Sequence, residues 1–246
     1  MSIDVDALPG ELEAELAAVG TPERAEGEKA YLKSDLQFLG ATVWQIRAVV
    51  KTAAEAGRDM SHDELLALVS ALWAKPVFER RMAAVMFLEA FPRILGPRDL
   101  DRVERLIRES GTWALVDGLA ADVVGAILQA DPEGTTPILD KWAADADFWV
   151  RRSSLLAELR PLRRDAPFER FARRADAMLD EREFFIRKAI GWVLREASKR
   201  RPDEVMAWLA PRTHRASGVT MREAVKYLQP AVADRLMAAY RERRPA

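Results

Sequence analysis

The 246-residue chain contains no cysteine. Disulfides and thiolate-bound metals are therefore excluded. Histidine is nearly absent: His62 and His214 are the only two and lie far apart, which argues against a histidine-rich metal site. Glycine-rich phosphate loops and metal-ligand spacings are missing, so no metal and no cofactor are expected. No stretch reads as the roughly 18 apolar residues needed to span a bilayer. The opening "MSIDVDALPGELEAELAAVG" is acidic and lacks the basic-then-apolar pattern of a secretory signal. These absences give the expectation of a cytoplasmic protein with no membrane partner. Strand-like alternation is scarce as well, which leaves little room for a sheet.

What remains is helical. The composition, 49% hydrophobic and 31% charged, is that of a soluble globular protein long enough to bury a sizeable core. "DELLALVSALW" (63–73), "RRMAAVMFLEAF" (80–91), "RDLDRVERLIRES" (98–110) and "FERFARRADAMLDE" (168–181) repeat apolar residues at three and four. Pro76, Pro92, Gly96-Pro97, Pro132, Pro161, Pro167, Pro202, Pro211 and Pro230 interrupt them, so the helices should be short and tightly connected. Trp73, Trp142 and Trp208 are expected in the core.

A repeat runs through the chain. "DFWVRRSSLLAEL" (147–159) aligns with "EFFIRKAIGWVLRE" (183–196) at an offset of about 36 residues. "VFERRMAAVMFLE" (77–89) lies two such periods earlier, and "VTMREAVKYL" (219–228) one period later. Periods of this size mark stacked helix pairs. The expected fold is all-α: an α-solenoid of HEAT-like helix-pair repeats with a concave face. The expected layout is an acidic leader or capping helix (1–22), a repeat domain (23–240) and a short C-terminal tail (241–246).

The net charge of −1 conceals an uneven distribution. Residues 4–28 are rich in acids. Later segments carry the clusters Arg151-Arg152, Arg163-Arg164, Arg173-Arg174, Arg187-Lys188 and Lys199-Arg200-Arg201. Such clusters either build a basic face for a polyanion or form ordinary solvated helix surface.

One stretch stands apart. In "SGTWALVDGLAADVVGAIL" (110–128), a helix would bury Val116, Leu119, Val123 and Ile127 on one side. Trp113, Asp117 and Ala120 then share the neighbouring arc. A solvated face rarely carries a tryptophan, and a core stripe rarely admits an aspartate. On the repeat alignment Trp113, Trp149 and Phe185 form one column. Asp117, Ser153 and Ala189 form the next, and Ala120, Leu156 and Trp192 a third. Stacking would let Trp113, Asp117 and Trp192 converge, with Arg152 within reach.

These residues resemble the bacterial HEAT-repeat DNA alkylation-repair glycosylases, the AlkD group. The resemblance runs from about residue 24 to about 230. It is carried by "YLKSDLQFLG" (31–40), "TWALVD" (112–117), "FWVRRSSLL" (148–156) and "EFFIRKAIGWVLREASKRRPDEV" (183–205). It implies Asp117 as the catalytic residue and Trp113, Trp192 and Arg152 as substrate-binding residues. Thr112 and Ala114 stand where the family often has tryptophan and aspartate. "ATVWQIR" (41–47) replaces a proline followed by arginines. The implied partner is double-stranded DNA containing alkylated purines, met by a monomer near the nucleoid. The implied reaction is hydrolysis of the N-glycosidic bond of 3-methyladenine or 7-methylguanine in base excision repair. The alternative is a non-catalytic HEAT-repeat protein that binds branched or damaged DNA; relatives without the aspartate point that way.

The residue types suit that chemistry. A cationic N-alkylpurine departs as a neutral base, so little general-acid help is needed. The deoxyribose turns oxocarbenium-like, and an ionised carboxylate stabilises it. Indole faces attract the cationic base by about 0.5–2 kcal/mol. Phosphate contacts position the duplex, and the candidates for them are Lys33, Arg47, Arg151, Arg187, Lys188 and Arg222.

Overall fold

The computed structural model describes residue 4 and residues 7–242. The ends of the expected leader and tail (1–3, 5–6 and 243–246) lie outside the described residues. The described residues form helices; the only strand-like pairing among them is an isolated bridge between Gln37 and Val77. In chain order the helices are α1 (Leu8–Val19), α2 (Pro22–Leu32), α3 (Val43–Ala56), α4 (His62–Trp73), α5 (Phe78–Ala90), α6 (Leu100–Glu109), α7 (Trp113–Gly118), α8 (Gly125–Ala130), α9 (Pro132–Trp142), α10 (Phe148–Leu156), α11 (Leu159–Leu162), α12 (Phe168–Ala177), α13 (Phe184–Ser198), α14 (Pro202–Leu209), α15 (Gly218–Ala224) and α16 (Pro230–Glu242). They fall into two compact units, one through Leu119 and one from Ala120.

The helix starts are written in the sequence. Capping boxes open α3 (Thr42 with Gln45) and α4 (Ser61 with Glu64). Pro22, Pro132 and Pro202 occupy first turns, where a missing N–H costs nothing. Several of the expected breakers therefore begin helices. Pro137 lies inside α9.

In the first unit, α1 is docked rather than loose. Leu12 and Leu16 are buried. Glu13 pairs with Lys75 at 2.7 Å and with the buried Arg80 at 2.6 Å. Arg80 also donates to the carbonyls of Pro9, Ala71 and Leu72. The "LQFLG" loop is held as firmly. Phe38 stacks on Phe78 with centroids 4.9 Å apart. The buried Glu79 carboxylate accepts the Leu39 and Gly40 N–H groups at 2.9 and 2.8 Å. Gly40 has φ +85°, and a Cβ there would lie 2.0 Å from the Thr21 carbonyl oxygen. This loop fixes where α2 ends and α3 begins.

In the second unit, α10 and α13 repeat each other in geometry. Each starts on an acidic cap: Asp147 accepts the Trp149 N–H at 2.8 Å, and Glu183 accepts the Phe185 N–H at 3.2 Å. Trp149 and Phe185 touch at 4.6 Å between centroids. Gly191 lets α15 approach α13; a Cβ on it would lie 2.7 Å from the Glu223 Cβ and 3.0 Å from the Thr220 oxygen. Trp73, Trp142 and Trp208 are all buried.

Between α7 and α8 the chain makes a π-helical stretch, Leu119–Val124. Helix, π turn and helix form one 18-residue run, Trp113–Ala130, with mean hydropathy 1.4 over the run. By length and composition this run is long and apolar enough to cross a membrane, which corrects the expectation that no such stretch exists. Glycines 118 and 125 and the short polar side chains of Asp117 and Asp122 had disguised it. Most of it is buried, with Leu115, Val116, Leu119, Val123 and Ile127 in the interior. It reads as a core helix.

Candidate functional site

The residues singled out by sequence fall in both units. In the first, Trp113 and Asp117 lie one turn apart on α7 and are half-buried, whereas Leu115 and Val116 between them are fully buried. The helix thus turns its indole and carboxylate off the core stripe. Thr112, where the family often has tryptophan, is a buried N-cap whose hydroxyl faces the Ala114 N–H at 3.5 Å. Gly118 follows Asp117 because α7 runs close to α5: a Cβ there would stand 2.9 Å from Val85 Cγ1 and 3.3 Å from Glu89 Oε1.

Sequence reasoning did not place Tyr31 among the site residues. Its ring meets Trp113 edge-on, centroids 6.0 Å apart at 86°, and remains 69% exposed. The exposed tyrosine braces the half-buried tryptophan that precedes Asp117 by one turn. The only signal for it was its place at the head of "YLKSDLQFLG", 82 positions before Trp113. Lys33 caps α2 in the left-handed conformation (φ 49°) and is exposed. Arg47 is half-exposed and reaches Glu89 at 3.3 Å. Beside it the replaced "ATVWQIR" segment presents Trp44, 80% exposed.

In the second unit Arg152 is buried. Its Nη1 donates to the Phe185 carbonyl at 2.6 Å and its guanidinium lies over the Phe185 ring at 5.7 Å. It holds α10 against the start of α13. Trp192, two turns further along α13, is half-buried against the core formed by Leu156, Ala189 and their neighbours.

The other basic candidates differ in how far the fold engages them. Arg151 grips Glu181 with two donors at 2.9 Å, and gives Nη1 to the carbonyls of Asp145 and Ala146. Hydrogen bonding to Glu181 raises its pKa against the opposing effect of burial. Arg187 repeats the reach-back: its Nε donates to the Glu181 carbonyl, six residues upstream, as Arg151 does to Asp145. Lys188 pairs with Glu223 at 2.6 Å. Burial pushes the Glu223 carboxyl up, but hydrogen bonds from Lys188 and Lys226 and the charges of Lys188 and Arg195 outweigh it and bring it to about 2. Arg222 is exposed. Of the wider basic clusters, Arg170 and Arg174 converge on the fully buried Glu158 at 2.8 and 2.7 Å. These arginines hold the second unit together. Among the described residues no group of His, Asp or Glu side chains is arranged to hold a metal.

The chain matches the family model described as DNA alkylation repair enzyme over residues 12–228. No curated protein matches it by sequence. Among solved structures, it is similar to a predicted DNA alkylation repair enzyme from Enterococcus faecalis, with TM-score 0.78 and 22% identity, covering 86% of this chain and 97% of that one. It is also similar to AlkD2 from Streptococcus mutans, with TM-score 0.66 and 16% identity over 92% of this chain and 100% of that one. At these identities the likeness is one of fold, and it agrees with the all-helical architecture described above. The family match spans both units and includes Trp113, Asp117, Arg152 and Trp192, and on that match the chain belongs to the DNA alkylation repair enzymes.

Proposed function

We propose that the protein is a monofunctional DNA glycosylase that hydrolyses the N-glycosidic bond of cationic N3- and N7-alkylated purines in duplex DNA. One observation carries this reading: α7 presents an indole and a carboxylate one turn apart, off its buried stripe, with Tyr31 bracing the indole. An indole and a carboxylate set one turn apart on a half-buried arc supply a cation-attracting face and a negative charge side by side. Asp117 stabilises the oxocarbenium-like deoxyribose and orients the attacking water. Trp113 and Trp192 favour the cationic base through their faces. Arg152, held on Phe185, is the proposed substrate-binding arginine of the second unit. Lys33, Arg47, Lys188 and Arg222 are the proposed phosphate contacts; Arg151 and Arg187 contribute mainly by clamping their helix entries. In this reading the protein acts as a monomer, in the cytoplasm, on nucleoid DNA.

The test is release of free base from duplexes carrying 3-methyladenine or 7-methylguanine. Wild type is expected to release base without cutting the strand, and Asp117→Asn to lose most of that release while still binding the duplex. Equal release by both proteins removes Asp117 from the mechanism. Tight binding to branched DNA with no release by wild type would favour the structure-binding alternative.

A further inference from the structure

In the first unit, α4, α5 and α6 line an open surface cavity of about 300 Å³ that the proposed active site does not use. One wall is the indole of Trp73, whose Nε1–H donates to the Glu109 carboxylate at 2.9 Å. The Arg81 guanidinium lies over that indole at 4.9 Å, and its Nη1 donates to the Glu109 carbonyl at 2.6 Å. The Arg81 Nε is buried and has no hydrogen-bond partner among the described residues. Arg102 gives one donor to the Ser70 hydroxyl at 2.8 Å and keeps its others. Arg105, less than one turn further on α6, is exposed on the rim. Three guanidiniums therefore face one carboxylate. Arg170 and Arg174, by contrast, are met by the fully buried Glu158.

We propose that this cavity binds a phosphate group, and that the group is a backbone phosphate of the duplex. Guanidinium forks match phosphate oxygens in geometry and charge. Burial holds the Arg81 pKa below the usual arginine value, with Glu109 opposing, so an incoming anion relieves a cost the fold already carries. The position fits DNA: Glu109 closes α6 and stands three residues before Thr112, which caps the helix bearing Trp113 and Asp117. The guanidiniums of the cavity carry the phosphate assignment. The assignment of that phosphate to DNA rests on the proposed function.

The experiment uses the full chain and the double variant Arg102→Ala/Arg105→Ala, whose side chains lie at the cavity rim. Circular dichroism melts confirm that the variant folds. Inorganic phosphate is titrated against tryptophan fluorescence, and an undamaged labelled duplex is titrated by anisotropy across a range of KCl. Wild type is expected to respond to phosphate and the variant not. The slope of log Kd against log salt is expected to fall by about 0.9 for each phosphate contact removed. Loss of the phosphate response with an unchanged salt slope keeps the anion site and overturns its assignment to DNA. An unchanged response in both titrations overturns the proposal. Base release is read separately: a wild type that releases none, yet shows the slope change, sinks the glycosylase reading and leaves this site standing.

Discussion

At the scale of single residues, the decisive contrast is between side chains the core needs and side chains it only tolerates. Tyr31 and Trp113 touch edge-on, and such aromatic pairs are worth about 0.5–1.5 kcal/mol beyond burial. If the pair positions the damaged nucleotide, Tyr31→Ala lowers base release by roughly 2- to 12-fold while lowering the melting temperature by no more than about 2–6 °C, the loss of the ring pair alone. Single-turnover release on one lesion measures this. Trp192→Leu should keep the packing against the second core but remove the π face. The ratio of rates on cationic 7-methylguanine and on a neutral lesion is then expected to fall by roughly 2- to 30-fold. The arc shared by Trp113 and Asp117 was legible in sequence because it breaks a helical pattern. Tyr31 was not, because nothing in periodicity brings position 31 to position 113. The arginines were the least legible of all. Arg151 and Arg222 look alike in a charge map, yet one is consumed by Glu181 and two carbonyls and the other is exposed.

At the scale of elements, glycine shows how the same substitution changes sign. Gly27 lies inside α2 with nothing within 4 Å of a Cβ. Gly27→Ala should stabilise by about 0.5–1 kcal/mol through helix propensity. Gly191→Ala gains the same propensity but drives a methyl into Glu223 and Thr220, and overpacking of that kind costs about 1–3 kcal/mol. The net effect is expected to be a loss, read as opposite shifts of melting temperature for the two variants. Glu158 makes a second case. It is fully buried with Arg170 and Arg174 closing on it, and Arg174 also reaches Asp140 at 2.8 Å. Removing one partner of a buried pair typically costs about 3–5 kcal/mol. Glu158→Ala should therefore lower the urea midpoint sharply, moderated by the surviving Arg174–Asp140 contact. Periodicity and capping residues told where most helices begin. The repeat of α10 in α13 was readable from "DFWVRR" and "EFFIRK" because an acid, two aromatics and two bases recur in register. The π turn left no such mark, since its residues are as apolar as those of any buried α-helix.

At the scale of the whole molecule, both units hold carboxylates whose pKa values are lowered, and the first also holds a histidine whose pKa is raised. In the first, hydrogen bonds from Asp99 and then Asp63 raise the His62 pKa above 6.5, so its contribution is complete below that value and is lost as pH climbs through the folded pKa. In the second, Glu223 drops from 4.5 to about 2. Its contribution is complete above pH 4.5 and is lost as pH falls toward 2, up to about 3 kcal/mol in all. Melting curves followed by unit-specific hydrogen exchange should show the alkaline softening in residues through Leu119, whereas acid softens both units, through Glu13 in the first and Glu223 in the second. Glu223→Gln should shrink the acid component of the second unit, leaving the part carried by Asp176, Asp180 and Glu196, and leave the His62 component alone. The run Trp113–Ala130 belongs to both units, changing from one to the other inside its π turn. A π turn seats one more residue than an α turn, and each residue is worth about 100° around a helix. Deleting any one residue of Leu119–Val124 would leave a well-formed helix of almost the same apolar content. Yet Asp117 and the buried pair Val123 and Ile127 could no longer both keep their places, and a chain of normal helicity would turn the arc of Trp113 and Asp117 out of place or unseat the core.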